Sequence, residues 1–144
     1  MTNTLMKILI LSLLVLNISQ TFVIACYGNR RGYRHTTIVI VNKLPTNADL
    51  LEYRCQSKNH DFGLRNLWMN QSYDWSFCPS VFGRTLYFCH FYWGSKHKAF
   101  DVFTSKLARN TGSKDFYWIA KSDGIYLDYH STPTRALKKI HDWE

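Results

Sequence analysis

Carboxylates are scarce in this chain. Ten Asp and Glu stand against eighteen Lys and Arg. The few acids form no evident pair, which argues against a glycosidase, whose chemistry needs two facing carboxylates. No stretch reads G-x-S-x-G or H-E-x-x-H, and no glycine-rich phosphate loop is present. The common hydrolase, metalloprotease and nucleotide-binding signatures are therefore missing. The histidines, His35, His60, His90, His97, His130 and His141, are scattered, with no pair at metal-ligand spacing. Cysteine is limited to four residues, none at C-x-x-C spacing, so neither a zinc ribbon nor a thioredoxin-like motif is written here. No cofactor and no metal centre are expected. Helical periodicity is almost absent, and there is no internal repeat or low-complexity segment.

Long apolar runs are also lacking, except at the start. Lys7 precedes an uncharged apolar run, Ile8 to Leu16, and a second stretch closes on Val23-Ile24-Ala25. That is the basic region, apolar region and cleavage site of a secretory signal peptide. The run is too short for a membrane span, which needs roughly 20 apolar residues. Residues 1–25 are read as the leader. Cleavage after Ala25 makes Cys26 the mature N-terminus; cleavage after Gly28 removes it. Residues 26–35, with YGNRRGYRH, are a basic lead-in. Residues 36–130 are the domain, and 131–144 a tail.

Secretion has three consequences. A soluble extracellular chain of this size forms one domain and is expected to be a monomer. Its surplus of basic residues favours anionic partners: an acidic receptor face, phospholipid or acidic polysaccharide. Disulfides become permissible. Cys26, Cys55, Cys78 and Cys89 allow three pairings, and spacing alone does not choose among them. Asn70-Gln71-Ser72 is an N-glycosylation sequon in a polar stretch between two strands.

What the chain has is a series of short β-like runs. Thr36 to Asn42 is β-branched and apolar on both faces, the pattern of a central strand. Leu50 to Gln56 alternates, with Leu51, Tyr53 and Cys55 on one face. Ser57 to Asp61 reads as a polar turn, and Leu64 to Met69 as a short strand. Ser72 to Cys78 turns Tyr73, Trp75 and Phe77 inward. Thr85 to Trp93 is apolar on both faces, a strand covered on both sides. Gly94 to Lys98 is a basic loop. Ala99 to Thr104 puts Phe100 and Val102 on one side, Asp101 and Phe103 on the other. Ser105 to Lys114 is polar and mostly aperiodic. Asp115 to Lys121 and Gly124 to Tyr129 form a hairpin around Asp123-Gly124, a strong turn signal. Residues 134–144 carry Leu137, Ile140 and Trp143 at a spacing that suits a turn or two of helix. The fold class is all-β, a small sandwich of about eight short antiparallel strands.

Two functional readings follow from residue type. His90 and His97 can converge across a hairpin, and such a pair with a lysine makes a ribonuclease-like acid–base set. A cationic secreted protein can also act in defence by binding anionic membrane or wall polymer. Nucleic acid is not an expected partner, because the basic residues do not interleave with the aromatics as a stacking groove requires.

Several motifs recur in an order that points elsewhere. They are Val41-Asn42-x-Leu44, Leu51-x-x-x-Cys55-x-Ser57-Lys58 and Asp61-x-Gly63. Then come Tyr73-x-Trp75-x-Phe77, Thr85-Leu86-Tyr87-Phe88-Cys89-x-Phe91-x-Trp93, Phe100-x-Val102-Phe103 and Trp118-x-x-x-x-Asp123-Gly124-x-Tyr126. With these motifs the chain resembles the plant self-incompatibility proteins, the S-protein homologues, from about Ile38 to Tyr126. The resemblance implies a secreted, non-enzymatic β-sandwich that signals between plant cells through a cell-surface receptor. Recognition in that family is attributed to variable surface loops. The matching loop here is Ser105 to Lys114, which makes Lys106, Arg109 and Lys114 the candidate receptor contacts. The chain departs from the family at Phe116, where members usually carry a cysteine. The acidic run that usually follows Ser-Lys reads Asn59-His60-Asp61, and the tail after Tyr129 runs past the usual end of the pattern. Strand period puts Cys55 and Cys89 on apolar faces and Cys78 at a strand end. The expected bonds are Cys55–Cys89, with Cys26–Cys78 where processing leaves Cys26 in place.

Overall fold

In the computed structural model of the chain, residues 3–4, 6–12, 35–45, 50–80, 82–131 and 134–144 are described. Two compact units divide at residue 34. In the first, residues 6–12 are helical. No helix among the described residues is long and apolar enough to cross a membrane. Apart from residues 3–4, the rest of the first unit, including Cys26 and nearly all of the basic lead-in, lies outside the described residues.

The second unit is a two-layer β-sandwich. Nine strands make it: β1 (Thr36–Asn42), β2 (Leu51–Ser57), β3 (His60–Leu67), β4 (Ser72–Phe77), β5 (Leu86–Trp93), β6 (Lys96–Thr104), β7 (Asp115–Lys121), β8 (Gly124–Ser131) and β9 (Thr134–His141). One short helix, α1 (Ser105–Thr111), joins β6 to β7. The first sheet has the order β4-β1-β7-β8-β9, the second β3-β2-β5-β6. All pairings are antiparallel except β1 with β7, which is parallel. Inward alternation builds the core. Ile38, Ile40, Phe116, Trp118, Ala120, Ile125 and Leu127 come from the first sheet. Leu51, Tyr53, Cys55, Cys89, Phe91, Phe100, Val102 and Phe103 come from the second, and all are buried. Phe100 meets Trp118 across the layers at 4.9 Å between ring centroids, and Phe103 meets Phe116 at 5.8 Å. Trp118 Nε1 donates to the Val102 carbonyl at 2.9 Å, so this ring satisfies its polar atom inside the core, whereas the buried Nε1 of Trp75 has no hydrogen-bond partner among the described residues.

The family motifs acquire physical reasons here. Asn42 is buried at the end of β1. Its Nδ2 donates to the Leu67 carbonyl at 2.9 Å, and its Oδ1 accepts from Leu44 N at 2.8 Å. One side chain thus ties the two sheets together at a corner. Asp61 Oδ1 accepts from Gly63 N at 2.9 Å, and Gly63 holds φ 71°. The same carboxylate pairs with Arg54, which draws its pKa down to about 2. Tyr126 donates to Asp123 beside the β7–β8 turn at 2.5 Å.

Several local expectations need correction. The described residues form nine strands where about eight were expected. The turn after β2 is only Lys58-Asn59, because β3 begins at His60. The basic loop expected at residues 94–98 is a tight turn at Gly94-Ser95, and Lys96 already belongs to β6. Phe103 faces the core, not the outside. A bulge shifts the register, so that Tyr87 opposes Phe103 while Phe88 opposes Asp101. The extra residue turns Phe103 inward. β5 is not covered on both sides: Tyr87, Cys89 and Phe91 are buried, while Phe88, His90 and Tyr92 are half-buried on the outer face. Ser105–Thr111 is helical rather than irregular. Residues 134–141 form an edge strand on β8, not a helix, because pairing satisfies a whole row of backbone groups that a short isolated helix leaves open. Beyond β9, Trp143 Nε1 donates to the Lys121 carbonyl at 2.8 Å, and the Glu144 backbone pairs with His97 of the other sheet. The C-terminal segment therefore clasps both layers.

Candidate functional site

The connection from β6 to β7 is a capped helix followed by a short run into the next strand. The sequence explains it once the caps are recognised. Thr104 is in extended conformation, and its Oγ1 accepts from Leu107 N at 3.0 Å. That satisfies one of the donors every helix leaves open at its start. Gly112 follows the last turn at φ 64°, the left-handed conformation glycine adopts without steric cost, and returns its N–H to Ala108 O. Leu107 and Ala108 pack against the core. Lys106 and Arg109, three residues apart, share the opposite, exposed face. Lys114 is exposed just before β7, where its carbonyl accepts from Thr37 N at 2.8 Å. The first turn carries no acid. None of the three cations takes part in an ion pair among the described residues.

The fold adds residues to this patch that strand periodicity did not single out. Gly83 lies against α1; a Cβ there would stand 3.5 Å from Arg109 Nη1 and 3.8 Å from Ser105 Cβ. Its neighbours are Phe82, 81% exposed, and Arg84, also exposed. The signal was legible as an exposed aromatic between turn residues and a cation. Nothing in the sequence placed that loop beside α1.

The other candidates fall elsewhere. His90 and His97 do converge: His90 Nε2 lies 3.4 Å from His97 Nδ1, and Tyr92 Oη is 2.9 Å from the other ring nitrogen of His90. Burial, then the neighbouring His97, lower the His90 pKa. The two rings touch each other rather than flanking a space for a reacting group. Nearby Lys98 is engaged by Glu144. Among the described residues no group of three or more His, Cys, Asp or Glu is arranged to hold a metal ion. Cys55 and Cys89 are directly opposite on β2 and β5 and form a disulfide with Cα atoms 4.1 Å apart. Phe116, in place of a cysteine, fills core space against Phe103. No described cysteine is free, and Cys78 is disulfide-bonded. Its expected partner, Cys26, lies outside the described residues. Asn70 is exposed in the Trp68–Gln71 turn at φ 64°, with its Oδ1 accepting from Lys43.

Comparison with known proteins converges on one group. Residues 37–143 match the family model of plant self-incompatibility protein S1. The tail therefore lies within the family pattern rather than past its end. The chain is 32% identical over 105 residues to S-protein homolog 21 of Arabidopsis thaliana, covering 70% of this chain and 79% of that protein. It is 32% identical over 99 residues to S-protein homolog 5 of the same plant, covering 68% and 75%. With S-protein homolog 2 it shares 43% identity over 67 residues, covering 46% of this chain and 41% of that protein. A solved structure also superposes with a TM-score of 0.60 at 21% identity, covering 78% of this chain and 97% of the other. That structure is described as one of SPH (self-incompatibility protein homologue) proteins, a widespread family of small, highly stable, secreted proteins from plants.

Proposed function

This chain belongs to the plant self-incompatibility protein S1 family, and from that membership we propose that it is a secreted, non-enzymatic ligand in plant cell–cell communication. It acts by docking the β6–β7 connection on a cell-surface protein receptor, in a self-incompatibility-like or related recognition. The observation that carries this reading is the state of Lys106, Arg109 and Lys114. A capped helix and a strand start hold all three exposed, and no acid of the described residues neutralises them. Fixed, unpaired charge costs little to bring to an acidic surface and speeds the encounter. Secretion is supported by the leader pattern of residues 1–25 and by the secreted character described for the structural relative. The non-enzymatic reading is supported by the mutual contact of His90 and His97.

The test is binding of labelled, oxidised mature protein to plant plasma-membrane fractions, across a salt series and with unlabelled competitor. Saturable binding that survives physiological salt and is lost in Lys106→Ala/Arg109→Ala/Lys114→Ala supports the ligand reading. Non-saturable binding that fades steeply with salt, as exposed charges do beyond about 8–10 Å, replaces it with a cationic defence protein on anionic membrane or polysaccharide. Hydrolase activity lost in His90→Ala or His97→Ala, with the fold intact, replaces it with an enzyme.

A further inference from the structure

The outer face of the second sheet carries a groove of about 630 Å³ beside the patch on α1. Gln56, Ser57, Lys58, Arg84, Leu86, Phe88 and Asp101 line it. Strand register places Gln56, Phe88 and Asp101 side by side on β2, β5 and β6. Leu86, 46% exposed, and half-buried Phe88 make an apolar floor that nothing in the chain covers among the described residues. Lys58 and Arg84 are exposed, and neither joins an ion pair among the described residues; the same holds for Asp101. The groove is therefore apolar below and carries two cations and one anion at its walls. It is continuous with the α1 patch through Gly83, which lies between Arg84 and the contact with Arg109.

We infer that this groove is a second docking subsite, and that its occupant is an acidic peptide segment of the receptor bearing an apolar side chain. The inference rests on the ligand reading above. The apolar side chain sits on Leu86 and Phe88, where its removal from water favours binding. Carboxylates on either side meet Lys58 and Arg84. Asp101 and the Gln56 amide accept from peptide N–H groups. Charge complementarity selects the acidic partner, and the floor selects a peptide. An anionic lipid surface would press its headgroups on the Asp101 carboxylate.

The probe is acetyl-Glu-Glu-Phe-Glu-Glu-amide, titrated at physiological salt into the ¹⁵N-labelled oxidised protein. Saturable shifts are expected at the amides of Gln56 to Lys58, Leu86 to Phe88 and Asp101. Binding should weaken at least tenfold in Lys58→Gln/Arg84→Gln, whose amide spectrum also reports that it is folded. It should weaken as much when glutamine replaces glutamate in the peptide. Absence of saturable shifts in the groove overturns the inference, as does equal binding of the neutral peptide. So does preference of the same residues for an acidic tetrasaccharide or for phosphatidylserine vesicles. Membrane-fraction binding separates the two levels. Wild-type binding by Lys58→Gln/Arg84→Gln, with loss in the Lys106/Arg109/Lys114 variant, removes the groove and keeps the ligand. Loss of saturable binding in every form, wild type included, removes the ligand reading itself.

Discussion

Replacing both Cys55 and Cys89 with alanine should cost this domain about 4 kcal/mol or more. The bond closes a stretch with a sequence separation of 34 residues. In the chain-entropy account, a cross-link over that length removes about 12–13 cal/mol/K from the unfolded ensemble, or about 3.8 kcal/mol at 25 °C. Both side chains are fully buried between the sheets, so lost sulfur packing adds to that figure rather than offsetting it. Melting entropy of roughly 2.1 cal/mol/K per residue over about 110 residues converts the loss into a fall in Tm of about 15 °C. Urea unfolding of the oxidised wild type and the double variant, with matched m-values, measures the difference. A loss below about 1 kcal/mol would refute the reasoning, because the cross-link would then remove little entropy from the unfolded chain. A non-reducing peptide map joining Cys78 to Cys89 would refute its premise.

Other outcomes follow from the same structure. His141 stacks on Trp118 and lies tilted against Phe100, and burial, helped by Lys98, lowers its pKa below the ordinary 6.5; His90 is lowered by burial and His97. The unfolded chain takes up these protons first, so the stability they contribute is complete above pH 6.5 and is lost as pH falls through the folded values. Tm should drop between pH 7.5 and 5.5, and His90→Gln and His141→Phe should each flatten the slope; an unchanged slope in both variants rejects this account. Gly124→Ala should cost about 2–3 kcal/mol in urea unfolding, because its Cβ would stand 2.5 Å from the His141 carbonyl oxygen; a neutral change would mean that β9 does not hold this register. The chain secreted from plant cells should lose mass on peptide N-glycosidase treatment and Asn70→Gln should not, since Asn70 is exposed; no mass change in either shows the sequon unused.

Much of this protein was determined by sequence alone. Period-two alternation is a local property, so β1, β2, β4, β5 and the β7–β8 hairpin could be located from the chain. Of the inward residues that alternation named on β2 and β4, Leu51, Tyr53, Cys55 and Trp75 are buried in the core, while Tyr73 and Phe77 pack partly buried at its margin. The family motifs were equally local, and so was the placement of Cys55 and Cys89 on apolar faces. Tertiary structure decided whatever depended on a partner distant in sequence. The bulge that turns Phe103 inward exists only against β5, and no count along β6 alone reveals it. β9 became a strand because β8 offered an edge; its own spacing suited a helix as well. α1 was written in its caps, Thr104 and Gly112, but a single turn or two of helix with a polar face has too little period to announce itself. The register of β2, β5 and β6 brought Gln56, Phe88 and Asp101 into one row. The packing of Gly83 on α1 joined that row to Arg109. The strands were legible because their pattern repeats every two residues. The surface was not, because a binding face is assembled from loops whose nearness in space has no counterpart in the order of the chain.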